Sequence, residues 1–444
     1  MIEQLVISLD KMGEKDAAVT LLDALARNSV IFNQFDEVAK GYFKIKEYEK
    51  AFFNAEKALA SYSGPEIYLV KYNLINTANH ANYPERAMTL IKQLELVNPY
   101  DIDLQMEKAF AFFLLNQKDR AEEILRLQLA NPRNNEEVKT KIRFNLGTYE
   151  LLRDEFQSGL RKFLFEGRKL DYWKKPEFKF ERWEGIPQPG RTIYVRAEAG
   201  IGDEFINIRF MKHLKDIGMK PIWYTDRKEM SSIFLRCGFD SICNHSDIKI
   251  NENPTWVHSM DLPVYLNLEY KDLWYGSYLK SKGSSEHIKK NERIKIGLRW
   301  QGNPGYDQDL HRSIPFKEMY NAVSQLNADI YSLQRDTGLD ELNGYEDKVI
   351  RLDQYMNSYD DTLDMINDLD LIITSCTSIG HASAAMGKET IVITPISAYY
   401  TWCHSTEKSP WYGDNLTLLR QEKPRVWNEP LEKLNQLVTK KFGA

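Results

Sequence analysis

The chain has 444 residues, 43% hydrophobic and 28% charged, ordinary values for a folded protein that exclude wholesale disorder and a collagen-like fibre. A chain of this length holds about two to four domains, and three is the expectation. Lys and Arg total 59 against 64 Asp and Glu, a net charge of −5, so no global basic field marks a nucleic-acid binder, although a local patch stays open.

Residues Met1 to Asp16 lack the basic stretch and long apolar core of a secretory signal. No run of 18 apolar residues occurs anywhere, so no membrane span is expected. The four cysteines, Cys237, Cys243, Cys376 and Cys403, make neither a disulfide framework nor a zinc-type pair, which points to a reducing compartment. The expectation is a soluble, cytoplasmic protein.

From Met1 to about Leu170 the pattern is helical, rich in Ala, Leu, Lys and Glu. A small residue follows a charged pair at Lys15-Asp16-Ala17-Ala18, Tyr48-Glu49-Lys50-Ala51, Pro84-Glu85-Arg86-Ala87 and Lys118-Asp119-Arg120-Ala121, with a degenerate copy at Glu155-Phe156-Gln157-Ser158-Gly159. The anchors Ala18, Ala51, Ala87, Ala121 and Gly159 are separated by 33, 36, 34 and 38 residues. Tetratricopeptide (TPR) repeats have a period of about 34, with a small residue where the two helices of a hairpin come close. Residues 1–170 are therefore read as a TPR-like α-solenoid, the alternative being an irregular helical bundle. Such arrays present a concave face to a partner or a neighbouring domain.

After an aromatic and proline-rich transition, Tyr172 to Gly190, strands and helices alternate. Thr192–Val195 reads as a buried strand, followed by a glycine loop, a helix from about Asp203 to Ile217 and a strand at Pro221–Tyr224. Lys295–Trp300 opens a second set, with strands at Ala328–Leu333, Val349–Leu352, Leu371–Thr374 and Thr390–Thr394, and helices at Pro315–Leu326 and Ser378–Met386. This alternation argues for parallel sheets with helices on both faces. The polar stretch Lys280–Glu286 reads as a linker, dividing the region into two Rossmann-like halves, residues 171–285 and 286–444. Ligands of such folds bind at the carboxyl ends of the strands.

Three loops carry candidate chemistry. Gly200-Ile201-Gly202-Asp203 follows a strand and opens a helix; its glycines permit a tight turn or close approach to a ligand. The loop lacks the third glycine of a dinucleotide fingerprint and the Lys-Ser/Thr of a Walker loop, and Asp203 also suits a helix cap. Thr377-Ser378-Ile379-Gly380-His381 follows a strand and enters a helix, a ready site for a pyrophosphate. His381 there is either a donor to a phosphate or ribose, or a structural residue. Arg299-Trp300-Gln301-Gly302-Asn303-Pro304 leads by a polar loop to His311-Arg312-Ser313, where Arg312 suits bidentate phosphate contact. Asp307-Gln308-Asp309 has the DxD form of metal-dependent glycosyltransferases, but acids in a surface loop are more often solvated, and no metal site is expected.

Between Arg161 and Trp183, eight basic residues (Arg161, Lys162, Arg168, Lys169, Lys174, Lys175, Lys179, Arg182) interleave with Phe163, Phe165, Tyr172, Trp173, Phe178, Phe180 and Trp183. Such mixing can bind a single nucleic-acid strand. The favoured reading is packing, with aromatics joining the last repeat to the first sheet while the lysines stay in water.

Glu198–Glu204, Gly297–Pro304, Arg312–Pro315, Tyr331–Gln334, Asp368–Thr374 with the Thr377–His381 turn, Ser409-Pro410-Trp411-Tyr412 and Leu419-Arg420-Gln421, in this order behind a repeat array, resemble bacterial and viral TPR proteins whose C-terminal part is similar to heptosyltransferases and, more distantly, to O-GlcNAc transferase. The resemblance covers essentially the whole chain. It implies a GT-B glycosyltransferase, hexosyl- or heptosyltransferase-like: two Rossmann-like domains, a nucleotide-diphosphate sugar as co-substrate, no resident cofactor and no required metal. It places the general base on Asp203, with loop glycines Gly200 and Gly202. It places the donor on Arg299, Gln301, Gly302, Asn303, Arg312, Gln334, Thr377, Ser378 and His381. The family commonly carries an acid where this chain has Cys376. The implied reaction moves a sugar to a hydroxyl of a glycan, lipid-linked sugar or protein, with the repeats helping to select the acceptor. A glycosyltransferase acting on nucleic-acid bases and a catalytically silent scaffold are the other two classes left open.

Overall fold

The computed structural model describes residues 2–172 and 178–443. The N-terminal array consists of α1 (Ile2–Lys11), α2 (Lys15–Asn28), α3 (Phe32–Lys44), α4 (Tyr48–Ser61), α5 (Ile67–His80), α6 (Pro84–Glu95), α7 (Ile102–Leu114), α8 (Lys118–Ala130), α9 (Glu136–Leu152) and α10 (Phe156–Lys169). Its periodicity is a property of the backbone. Each pair turns on one left-handed residue, Gly13, Lys46, Asn82, Asn116 or Asp154, with φ between 59 and 82°. Each of these stands five positions ahead of Ala18, Ala51, Ala87, Ala121 or Gly159. The four alanines are completely buried. The fifth anchor has to be glycine because α9 and α10 touch backbone to backbone: a Cβ on Gly147 or on Gly159 would lie 2.8 Å from the other's carbonyl oxygen.

The remainder folds as two parallel sheets. In chain order the first half holds β1 (Thr192–Arg196), α11 (Ile201–Asn207), α12 (Phe210–Asp216), β2 (Lys220–Tyr224), α13 (Lys228–Arg236), β3 (Ser241–Ile242), β4 (Thr255–His258) and α14 (Leu262–Tyr265). Its strand order is β3-β2-β1-β4. The second half holds β5 (Ile294–Arg299), α15 (Asp309–Arg312), α16 (Phe316–Asn321), β6 (Ala328–Ser332), β7 (Ile350–Arg351), α17 (Tyr359–Asp368), β8 (Leu371–Ser375), α18 (Ser378–Ala385), β9 (Thr390–Thr394), β10 (Lys408–Ser409), β11 (Gly413–Arg420) and α19 (Asn428–Phe442). Its order is β10-β11-β9-β8-β5-β6-β7, with only β10 antiparallel. Both sheets are Rossmann-like, and the central strands β8 and β9 are buried along their whole length, as helices on both faces require. The strand order reverses between β1 and β4 and between β5 and β8, the points beyond whose carboxyl ends folds of this kind bind ligands.

Three details depart from expectation. The helix expected over Asp203–Ile217 begins at Ile201 and is interrupted at Ile208-Arg209, where the Arg209 Nε donates to the Ile206 carbonyl at 2.8 Å. The helix expected over Pro315–Leu326 stops at Asn321. Strand β11 and helix α19 complete the second half without having been foreseen as elements. The stretch Lys280–Glu286 is pinned to α17: the N–H groups of Lys282 and Gly283 donate to Asp364, and that of Ser285 to Asp368.

One hydrophobic core runs from the end of the array (Leu151, Leu160) through the first sheet (Val195, Trp223) into the second half (Ile379, Trp411). The turns at Lys46, Asn82 and Asp154 form an edge by which the array meets the second half. Lys46 pairs with Asp307 at 2.7 Å, His311 Nε2 lies 3.0 Å from the His80 carbonyl oxygen, and the Ser405 hydroxyl donates to Asp154 at 2.6 Å. Arg425 bonds Glu49 at 3.0 Å and covers the Tyr83 ring at 3.9 Å.

The aromatic–basic segment packs. Phe163 and Trp183 are buried, Phe178 and Phe180 stack on each other at 5.2 Å and lie edge-on to Trp256 and Tyr194 respectively, and Arg161 covers Phe165. Lys162 pairs with Glu150, Lys169 with Glu166, and Arg168 and Arg182 with buried acids. Trp173, Lys174 and Lys175 lie outside the described residues. Among the described residues no helix is long and apolar enough to cross a membrane.

Candidate functional site

The glycine loop leaves β1 at the reversal of the first sheet. Ala199 is forced to φ 54°, and α11 starts on Gly200, with Asp203 three residues in. Asp203 is therefore not the capping residue itself. Its Oδ2 accepts the Gly200 N–H at 3.0 Å, and its Oδ1 accepts the hydroxyl of Tyr399, from beyond β9 in the other half, at 3.0 Å. Asp203 is 7% exposed. Burial pushes its pKa up to about 6, against the lowering pull of the Gly200 and Tyr399 donors. Gly202 sits where the two halves touch: a Cβ there would lie 3.1 Å from His381 Cδ2 and 3.4 Å from Ser378 Cα. Helices α11 and α18 thus meet at their N-terminal ends, each at the carboxyl edge of its own sheet.

Helix α18 starts without a side-chain cap, because the Thr377 hydroxyl is engaged with Thr374 at 2.9 Å. The first-turn amides therefore keep their positive potential. The Ser378 hydroxyl receives the Tyr359 hydroxyl at 2.6 Å. Arg312 is brought to the same point: Nε donates to Asp309 Oδ1 at 2.7 Å, NH1 donates to the Cys376 carbonyl at 2.6 Å, and the guanidinium lies 4.7 Å from the Tyr306 ring centre. Gly302 has to lack a side chain, since a Cβ would collide with the Arg312 guanidinium and stand 2.6 Å from Asp309 Oδ1. Gly302, Arg312, Thr377 and Ser378 thus form one amide-rich corner, in which the Arg312 charge is paired with Asp309.

The other expected donor residues lie around this corner with different tasks. Gln334 is wholly buried; its Oε1 accepts the N–H groups of Trp300 and Gln301, and its Nε2 donates to the carbonyls of Gln301 and Thr337. It shapes the loop after β5. Gln301 donates to Glu341, Arg299 donates to the Leu333 carbonyl at 2.8 Å, and Asn303 accepts the Gly305 N–H in an exposed turn. His381 brings no positive charge to the corner. Its ring stacks on Trp402 at 4.5 Å and 5°, Nδ1 meets the Tyr412 hydroxyl at 3.0 Å, and burial, aided by Arg209, pushes its pKa down to about 3. The imidazole is neutral at physiological pH. Of the DxD acids, Asp307 is taken by Lys46 and Asp309 by Arg312.

A buried ion cluster underlies the glycine loop. Glu198 and Asp261, both with completely buried side chains, share Arg168 of α10: NH1 and NH2 reach Glu198 at 2.5 and 2.7 Å, and NH2 reaches Asp261 at 2.7 Å. Arg182 holds the other Asp261 oxygen at 2.8 Å, and His258 Nδ1 lies 3.2 Å from Glu198. Burial pushes Glu198 up to about 7 and His258 down to about 2. Tyr399, Asp261 and Arg168 were not singled out as site residues from the sequence. Glu198 stood inside the glycine-loop motif, but nothing local links it to an arginine 30 residues earlier.

No family model matches the chain, and no curated protein matches it. Among solved structures, a glycosyl transferase family 9 protein from Veillonella parvula is similar at 11% identity and TM-score 0.40, over 54% of this chain and 88% of that one. A variant of the Thermobaculum terrenum O-GlcNAc transferase is similar at 11% identity and TM-score 0.31, over 91% and 89%. E. coli heptosyltransferase WaaC with ADP is similar at 10% identity and TM-score 0.36, over 57% and 99%.

Proposed function

We propose that the chain is a glycosyltransferase of GT-B type, moving a sugar from a nucleotide-diphosphate donor to an acceptor hydroxyl in a single displacement. The observation that carries this is the confrontation of Asp203 with the α18 corner at the carboxyl edges of two parallel sheets. A carboxylate with a pKa of about 6 is matched to general-base work near neutral pH. The uncapped α18 amides, Ser378 and Arg312 suit the diphosphate of a leaving group. In the step, the acceptor O–H gives its proton to Asp203 while its oxygen bonds to the anomeric carbon. The bond from that carbon to the diphosphate oxygen breaks, and the nucleoside diphosphate departs towards Arg312. The ordered sequence motifs support the same reading, with residues 171–285 as acceptor side, 286–444 as donor side, and a glycan, lipid-linked sugar or protein as acceptor.

The test is a panel of nucleoside diphosphates and their sugars, read by thermal shift and by nucleoside diphosphate release, since a ligand of the native state raises its apparent stability. One donor class should bind and be turned over. Arg312→Gln should weaken nucleoside diphosphate binding roughly tenfold or more, because a charge-assisted bond to an anion contributes about 1.5–3 kcal/mol. Absence of binding across the panel would leave a silent scaffold.

A further inference from the structure

Asp203 belongs to the first half, yet one of the bonds that hold its carboxylate comes from the second. The Gly200 N–H on Oδ2 is local to the glycine loop and persists whatever the two halves do. The Tyr399 hydroxyl on Oδ1, at 3.0 Å, is delivered from beyond β9 and exists only while the halves are together. The Tyr399 ring is itself wedged, edge-on to Tyr400 at 4.7 Å and to Phe163 of the last array helix at 6.4 Å. Array, first half and second half therefore converge on the Tyr399 side chain.

We propose that Tyr399 is a positioning residue that orients the Asp203 carboxylate from across the interface, so that the base is aligned by the second half when the two halves are together. The inference rests on the reading of Asp203 as that base. A hydroxyl donating to a carboxylate favours the ionised form. When the halves part, the carboxylate loses this donor and the orientation it fixes, while water replaces both the donor and the burial that opposes ionisation. The other groups facing Asp203 are known. Glu204 of α11 opposes ionisation. Tyr306, from the loop after β5, and Tyr400 sense its charge. Arg312 stands behind Tyr306, Glu198 lies near Tyr400, and His381 beside Gly202 is neutral. Of these groups only Tyr399 donates a hydrogen bond to the carboxylate from the second half.

Tyr399→Phe keeps the ring packing and removes the donor. In the full chain the acid limb of the pH–rate profile should move up by about one pH unit. Turnover should fall about tenfold on the acid side and hardly change above pH 8.5, with the donor KM within twofold of the parent. Replacing Tyr399 by 3-fluorotyrosine, a stronger donor, should move the limb the opposite way, which loss of packing cannot do. The Asp203 carboxyl is followed directly by carbon NMR titration of ligand-free protein, assigned with Asp203→Asn. Opposite displacements of this titration in the two variants support the inference. An unmoved titration in both overturns it, whatever the activity. A moved titration alongside a fully active Asp203→Asn supports the contact and overturns the base reading instead.

Discussion

Asp203→Asn is expected to make the protein more stable at neutral pH while abolishing sugar transfer. Removal of a general base costs about 10²- to 10⁴-fold in rate. The stability change follows from linkage. The folded-state pKa is raised by burial from the ordinary 3.8 to about 6, so the folded protein holds this proton more tightly than the unfolded chain. The stabilisation from that proton is fully present below the unfolded value and is lost as pH rises through about 6. At pH 7.5 the buried charge therefore costs about 3 kcal/mol. Asn removes the charge but satisfies only one of the two donors from Gly200 and Tyr399, leaving a net gain of about 1–2 kcal/mol. Thermal unfolding at pH 7.5 and pH 4 checks this: the advantage should vanish at pH 4, where Asp203 is protonated in the parent. Unchanged turnover with a confirmed acceptor would return Asp203 to a purely structural place at the start of α11.

Arg168→Met is expected to destabilise the protein by about 3–5 kcal/mol, because it strips the shared cation from two completely buried acids. Asp261 keeps Arg182, whereas Glu198 is left with the Met260 backbone N–H and a His258 that burial holds neutral. Glu198 responds by taking a proton, its pKa rising further above about 7, so the loss should shrink as the medium is acidified. Denaturant unfolding of the full chain at pH 6 and pH 8 measures both effects. Arg161→Met, which removes only a cation over Phe165, is the matched control and should stay within about 0.5 kcal/mol of the parent. A loss below 1 kcal/mol for Arg168→Met would mean that the cluster takes up water when its arginine is removed. Because Arg168 belongs to the array and Glu198 leads into the glycine loop, the same variant should also weaken the seating of the array against the first half.

The corner made by Arg312, Gly302 and the start of α18 was legible because Gly302 and Ser378 follow closely on β5 and β8, and Arg312 ends the polar loop that leaves β5. A parallel sheet delivers every such loop to one edge, so short motifs after β5 and β8 had to converge. The left-handed Asn82, Asn116 and Asp154, with Gly13, were a readable signal that went unused: turn-forming residues at one fixed distance before each buried small residue. His381 illustrates the limit. Its place one turn into a helix was readable, but its neutrality comes from Trp402, Tyr412 and Arg209, contributed by a loop, a strand connection and the other half.

Local pattern by itself determined the helical repeat, the alternation of strands and helices, the glycine loop and the helix start suited to phosphate. Each depends on periodicity or on backbone freedom within a few neighbours. Only the tertiary structure decided which charges survive. Asp203 and Glu198 are raised, His381 and His258 are neutralised, Arg168 is committed to two acids, and Tyr399 reaches Asp203 across 196 residues of chain. The physical reason is that ionisation depends on desolvation and on partners within a few ångströms, and those partners come from segments that sequence proximity does not connect.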